Sequence, residues 1–153
     1  MFSAIKEYDP MNNYHQAMKK IESSGIRPTK QRRVLAKILF EKGNRHVSAD
    51  ELFHDVKKED RKISMATVYN TLKQFTSLGL VREVVVDQNK SLYCTNHKSH
   101  YHLYIEDEGK IIDIPTKNID LNIPYIPACL QLHNIDVIVR IRTLKDKKKL
   151  ISI

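Results

Sequence analysis

The hydrophobic period of this chain changes once, near Gly79, and that change decides the class of fold open to it. Ahead of Gly79 the apolar residues recur at helical spacing, and after it they alternate. Helices followed by strands make an α+β chain. Residues 11–24 place Met11, Tyr14, Met18 and Ile21 close to a 3.6 period, and Gly25 suits a helix C-terminus. Pro28 and Thr29 open a second helix, carrying Val34, Leu35, Ile38 and Leu39 and ending near Gly43. Ser48 with Glu51 forms a capping box for a third helix, with Leu52, Phe53 and Val56 on its buried side. Ser64 is the next N-cap, and Val68, Leu72, Phe75 and Leu78 make a stripe that Gly79 stops.

Residues 80–86 are rich in β-branched side chains, residues 87–90 form a turn, and residues 91–95 return as a second strand. Helices closed by such a hairpin make a winged helix-turn-helix, in which the last helix enters the major groove. This gives a DNA-binding domain over residues 1–95, a polar hinge over 96–99 and a small C-terminal α/β domain over 100–153. In the latter, strands are expected at 101–106 and 110–114, and Pro124 and Pro127 leave room only for a short helix before Cys129. Residues 131–142 alternate throughout, with His133, Ile135, Val137, Val139 and Ile141 on one face, which predicts one long strand. So small a unit has little core of its own, and an alternating strand is an edge for pairing, so this domain is expected to form a homodimer.

Charge points to the partner. The chain has 153 residues and a net charge of +8. Residues 1–80 hold 15 basic and 9 acidic residues, residues 81–139 hold 5 and 8, and residues 140–153 hold 6 and 1. A basic helical half suits a polyanion. No apolar run approaches the roughly 20 residues that cross a bilayer, and residues 1–13 carry Lys6, Glu7 and Asp9 with no apolar core. The expectation is a cytoplasmic protein that does not engage membranes. Cys94 and Cys129 are the two cysteines, far apart and outside any CxxC pair, and are read as reduced thiols.

On the fourth helix, burial of Val68, Leu72 and Phe75 leaves Ala66, Thr67, Tyr69, Asn70 and Lys73 near the outer side. Ala and Thr methyls meet thymine methyls, Asn pairs with adenine, and Tyr reaches base or phosphate. Lys73 meets backbone charge. Beyond the hinge, His100 and His102 stand two apart on a predicted strand, so both rings share one face and can converge on one ion.

Four strings occur in order: residues 25–32, residues 46–52, Ala66-Thr-Val-Tyr-Asn-Thr-Leu72, and His100-Tyr-His102. Together they resemble the ferric uptake regulator family over residues 14–142, and segments 110–115 and 133–141 look most like its iron response regulator branch. The resemblance implies a dimeric winged-helix regulator that binds a double-stranded DNA operator and controls iron- or haem-linked genes. It matches Tyr69 to a base-contacting tyrosine, and Arg27 and Arg32 to basic positions near the DNA backbone or minor groove. Asn70 stands where many relatives carry arginine.

The resemblance also implies a ligand set of His46, Cys94, His100, His102 and Asp113 around one divalent ion per chain, iron or zinc. Cys94 replaces a family carboxylate, and a thiolate shifts preference toward zinc over manganese. An ion held this way would set the angle between the domains, and with it the spacing of two recognition helices. Ile105 and Glu108 occupy the first CxxC positions of the family's structural zinc site, and no cysteine follows Cys129, so no structural four-cysteine zinc is expected. Ser99 and Tyr101 hold positions of a further family metal site, which is likewise not expected. A haem- or peroxide-responsive regulator is the alternative reading, although the haem-linked Cys-Pro dipeptide is missing. A metal-dependent hydrolase using the histidines and Asp113 is the remote alternative, since no further carboxylate is placed as a base.

Overall fold

The computed structural model describes residues 10–60 and 62–144. The chain divides between His97 and Lys98 into two compact units.

The first unit holds four helices: α1 (Pro10–Ser23), α2 (Lys30–Phe40), α3 (Ala49–Glu59) and α4 (Met65–Ser77). Three of them start on side-chain caps, and those at Ser48 and Ser64 are the ones expected from sequence. Thr29 Oγ1 accepts from Arg32 N at 3.3 Å. Ser48 Oγ accepts from Glu51 N at 3.1 Å while Glu51 Oε2 accepts from Ser48 N at 2.7 Å. Ser64 Oγ accepts from Thr67 N at 3.1 Å. Each cap satisfies a backbone N–H that the helix itself leaves open. At the far end of α4, Gly79 takes φ +66°, and Gly79 N and Leu80 N donate back to Thr76 O and Phe75 O. Only glycine adopts that left-handed φ without strain, so the helix stops there.

The apolar stripes meet in one core of Ile21, Leu35, Leu39, Leu52, Val56, Val68 and Leu72, with Phe40 and Phe75 tilted together at 6.5 Å. Helix α2 packs on α1, α3 and α4, and α3 packs on α4. Strands β2 (Arg82–Asp87) and β3 (Lys90–Cys94) form the wing hairpin. Strand β1 (His46–Val47) was not anticipated. Its two residues are too few to show a period, yet they pair antiparallel with β3, giving the order β1-β3-β2.

The second unit is a three-stranded sheet of β4 (His100–Ile105), β5 (Lys110–Pro115) and β6 (Ile138–Ile141), in the order β5-β4-β6. Strand β5 runs antiparallel to β4 and β6 parallel to it. Among the described residues its helical content is the 3₁₀ turn Thr116–Asn118. The strand expected over 131–142 is corrected here: only Ile138–Ile141 form it, and His133, Ile135 and Val137 lie outside. Alternation supplies a face, but a strand also needs a partner ladder. The six residues of β4 pair with β6 only from His102 to Ile105, while Glu106 pins the end of β6 through Arg140 and Arg142. The basic tail beyond Leu144 lies outside the described residues.

Candidate metal centre and nucleic-acid interface

Strand alternation puts His100, His102 and Tyr104 on the buried side of β4. Antiparallel register sets Asp113 of β5 directly opposite His102. The result is a compact group: His100 Nε2 lies 3.0 Å from His102 Nε2, and Asp113 Oδ1 lies 3.3 and 3.5 Å from the two nitrogens. Ligand atoms bonded at about 2.0–2.1 Å to one ion stand about 2.9 Å apart at right angles and about 3.4 Å apart at tetrahedral angles. The three separations therefore have the edge lengths of one coordination polyhedron. The His100 and His102 side chains are only 4% and 5% exposed, and burying such polar groups is costly unless they are partnered.

The backbone prepares the first of these rings. Lys98 O lies 2.6 Å from His100 Nδ1 and can only accept, so Nδ1 is the donor and Nε2 is the atom left facing His102 and Asp113. The rings meet edge to face at 4.6 Å. They are too close to stand on opposite sides of one haem, so these two cannot be its axial pair.

The other two residues of the ligand set belong to the first unit. His46 and Cys94 are cross-strand partners in the β1–β3 ladder, and Cys94 is 1 % exposed. The next rung is also tied: Arg45 N donates to Thr95 Oγ1 at 2.9 Å and Thr95 N donates to Arg45 O at 3.1 Å. The Arg45 guanidinium reaches Ile38 O at 3.3 Å and Asp55 Oδ2 at 3.1 Å, anchoring the strand to α2 and α3. Sequence reasoning missed Arg45; its only signal was a charge beside a predicted ligand.

Helix α4 presents the expected outer face. Ala66, Tyr69, Asn70 and Lys73 are exposed, Tyr69 by 50 %, and Thr67 is half-buried with Oγ1 2.9 Å from Ser64 Oγ. Arg27 is exposed, and Arg32 is half-buried with two of its donors bonded within the fold. Its Nε donates to Gln74 Oε1 at 2.9 Å and its Nη1 to Arg27 O at 2.8 Å, bracing α2 against α4. Arg32 and Asn70 line one open cleft with Thr67, Lys73 and Gln74. Among the described residues no helix is long and apolar enough to cross a membrane.

The ferric uptake regulator family model matches residues 23–141. The peroxide-responsive repressor PerR of Staphylococcus aureus is 33% identical over 98 residues, covering 64% of this chain and 66% of that protein's length. A zinc-bound manganese uptake regulator superposes with a TM-score of 0.63 at 27% identity, over 84% of this chain and 98% of the other. The ferric uptake regulator of Vibrio cholerae superposes with a TM-score of 0.64 at 24% identity, over 82% and 98%, which supports the fold. The chain belongs to the ferric uptake regulator family, whose members are DNA-binding, metal-responsive transcription regulators that act as dimers and are not enzymes.

Proposed function

We propose that this chain is a cytoplasmic homodimeric repressor that binds a double-stranded DNA operator through α4, with an affinity set by one divalent ion, iron or zinc, per chain. The observation that carries the reading is the set of edge lengths joining His100, His102 and Asp113. The ion supplies a positive charge that draws its ligands into one fixed geometry. His100 and His102 offer Nε2 lone pairs, and Asp113 offers Oδ1. His46 and Cys94, which the family resemblance adds to the set, complete it from the DNA-binding unit. Their engagement links occupancy to the placement of α4. The controlled genes are those of metal homeostasis.

Tyr69, Asn70 and Lys73 face outward for groove and phosphate. Exposed Leu121, Tyr125, Leu130 and Leu132 in the second unit give a second copy an apolar surface to cover.

The test uses purified full chain, metal analysis and a random duplex pool, with iron(II), zinc(II), manganese(II) or haem added after chelation. Iron or zinc is expected to change DNA affinity tenfold or more. Tyr69→Ala should lose DNA binding with metal content intact. DNA affinity indifferent both to the ion and to Tyr69→Ala would overturn the proposal.

A further inference from the structure

A cleft of about 310 Å³ lies between α2, the turn that follows it, and α3. That is the lower end of the roughly 300–1,000 Å³ that small-molecule sites occupy. No residue of α4 or of the wing hairpin lines it, so reading DNA does not account for it. Nor does its lining include any residue of the metal-ligand set.

The lining divides by chemistry. Val34 and Ile38 are half-buried against the helical core and give the cleft an apolar wall. Lys37 and Lys42 are exposed at its rim. Arg45 is the half-buried cation. Its Nη1 donates to Ile38 O at 3.3 Å and its Nη2 to Asp55 Oδ2 at 3.1 Å. Its Nε–H carries no hydrogen bond among the described residues. A donor shielded from solvent gains from an acceptor, and most from a charged one.

Charge sets the size of the anion. Lys37, Lys42, Arg45 and Lys58 stand against Glu41, Asp55 and Glu59, which leaves one positive charge in excess. The excess falls at the inner end, because the single carboxylate of Asp55 answers both Arg45 and Lys58, the latter at 3.4 Å. A monoanion balances the cleft; a dianion would meet Glu41 and Glu59 with charge to spare.

We propose that this cleft binds a small organic monocarboxylate, whose carboxylate accepts from Arg45 Nε and whose short apolar body lies on Val34 and Ile38. The site gives the DNA-binding unit a small-molecule input besides the ion. Arg45 directly precedes His46, and its backbone is tied both ways to Thr95, the neighbour of Cys94. A bound carboxylate competes with Asp55 for the guanidinium that anchors β1. This regulatory consequence rests on the function proposed above; the binding itself does not.

The experiment titrates purified, isotope-labelled full chain with benzoate, acetate or inorganic phosphate at constant ionic strength, and follows the backbone amide and Arg45 Nε–H resonances. Benzoate is expected to give saturable shifts confined to residues 34–45 and 55–59, half-complete at about 1 mM or below. Acetate, with the charge but almost no apolar body, should bind about 5-fold more weakly or worse. Arg45→Met should weaken benzoate binding about 10-fold or more. That variant also loosens β1, so a second one reverses the two exposed rim charges: Lys37→Glu with Lys42→Glu should melt with the wild type and weaken benzoate about 2- to 5-fold. Shifts that rise linearly with concentration and are the same for acetate would overturn the site. So would unchanged benzoate affinity in Arg45→Met, or in the rim variant if Arg45→Met does not fold. Phosphate binding as tightly as benzoate would overturn the monocarboxylate class.

Discussion

Replacing Arg45 by Met isolates the anchor of strand β1. Met keeps an apolar stem and every backbone bond of the Arg45–Thr95 rung, and removes the two guanidinium bonds to Ile38 O and Asp55 Oδ2. Hydrogen bonds to charged groups contribute about 1.5–3 kcal/mol net when shielded from solvent. The side chains of Arg45 and Asp55 are 27% and 32% exposed, so solvent screening takes each bond below that range, and about 1–2 kcal/mol is expected for both bonds together. In a unit of this size each kcal/mol moves the melting temperature by about 4–8 °C.

The same pair makes the loss depend on pH. Burial alone would raise the Asp55 pKa, but the hydrogen bond and charge of Arg45, joined by Lys58, outweigh it and hold the carboxyl below its ordinary 3.8. A depressed carboxylate contributes stability above its unfolded value, and that contribution is lost as pH falls through the folded value. Urea unfolding of wild type, Arg45→Met, Asp55→Asn and the double variant at pH 7 and near pH 2.5 measures this. A coupling energy of about 1 kcal/mol is expected at pH 7, shrinking on acidification. A coupling of zero at pH 7, or one unchanged by acid, would refute the reasoning.

Three further outcomes follow from the geometry. His97 stacks on Phe40 at 6.2 Å, and desolvation, with Lys20 adding its charge, holds its pKa below the ordinary 6.5. A histidine kept neutral in the fold costs stability as pH falls from its unfolded value through the folded one, so His97→Phe should gain in relative melting temperature between pH 7.5 and pH 5.5. If Cys94 is a ligand, cobalt(II) on the wild type shows thiolate charge-transfer absorption, and Cys94→Asp should lose that band while retaining the ion. Lys73→Ala should weaken DNA binding evenly across sequences and lower the slope of log affinity against log salt by about 1, read by titration at several salt concentrations.

Much of the helical half was legible because its signals are local. Ser48 with Glu51, and Ser64 before its stripe, mark helix starts within four residues of sequence, and Gly79 marks a stop. The His100-Tyr-His102 spacing likewise carries its own geometry. What escaped the sequence depends on partners distant along the chain. Strand β1 exists because β3, more than 40 residues later, offers it a ladder. Residues 131–136 alternate as strongly as a strand, but the β4–β6 ladder begins only at Ile138, with His102 N reaching no further back than Val137 O. Arg32 carries a charge suited to DNA, and its bond to Gln74, 42 residues away, was not legible along the chain. The Asp113 carboxylate was placed by resemblance; its position opposite His102 is a property of strand register, which no residue count along the chain supplies.

Strand β1 has a mechanical consequence. One residue, Val47, separates His46 from Ser48, whose side chain caps α3 and whose backbone N–H is held by Glu51. Planar peptides leave two soft torsions per residue, and here these are already held by the β3 ladder on one side and the capping box on the other. The link has almost no slack. A displacement of the His46 backbone has no compliant loop to absorb it and acts directly on the N-terminus of α3, and α3 lies against α4. A two-residue strand is thus a short, stiff link, and a glycine inserted after Val47 would give slack between the β3 ladder and the α3 cap.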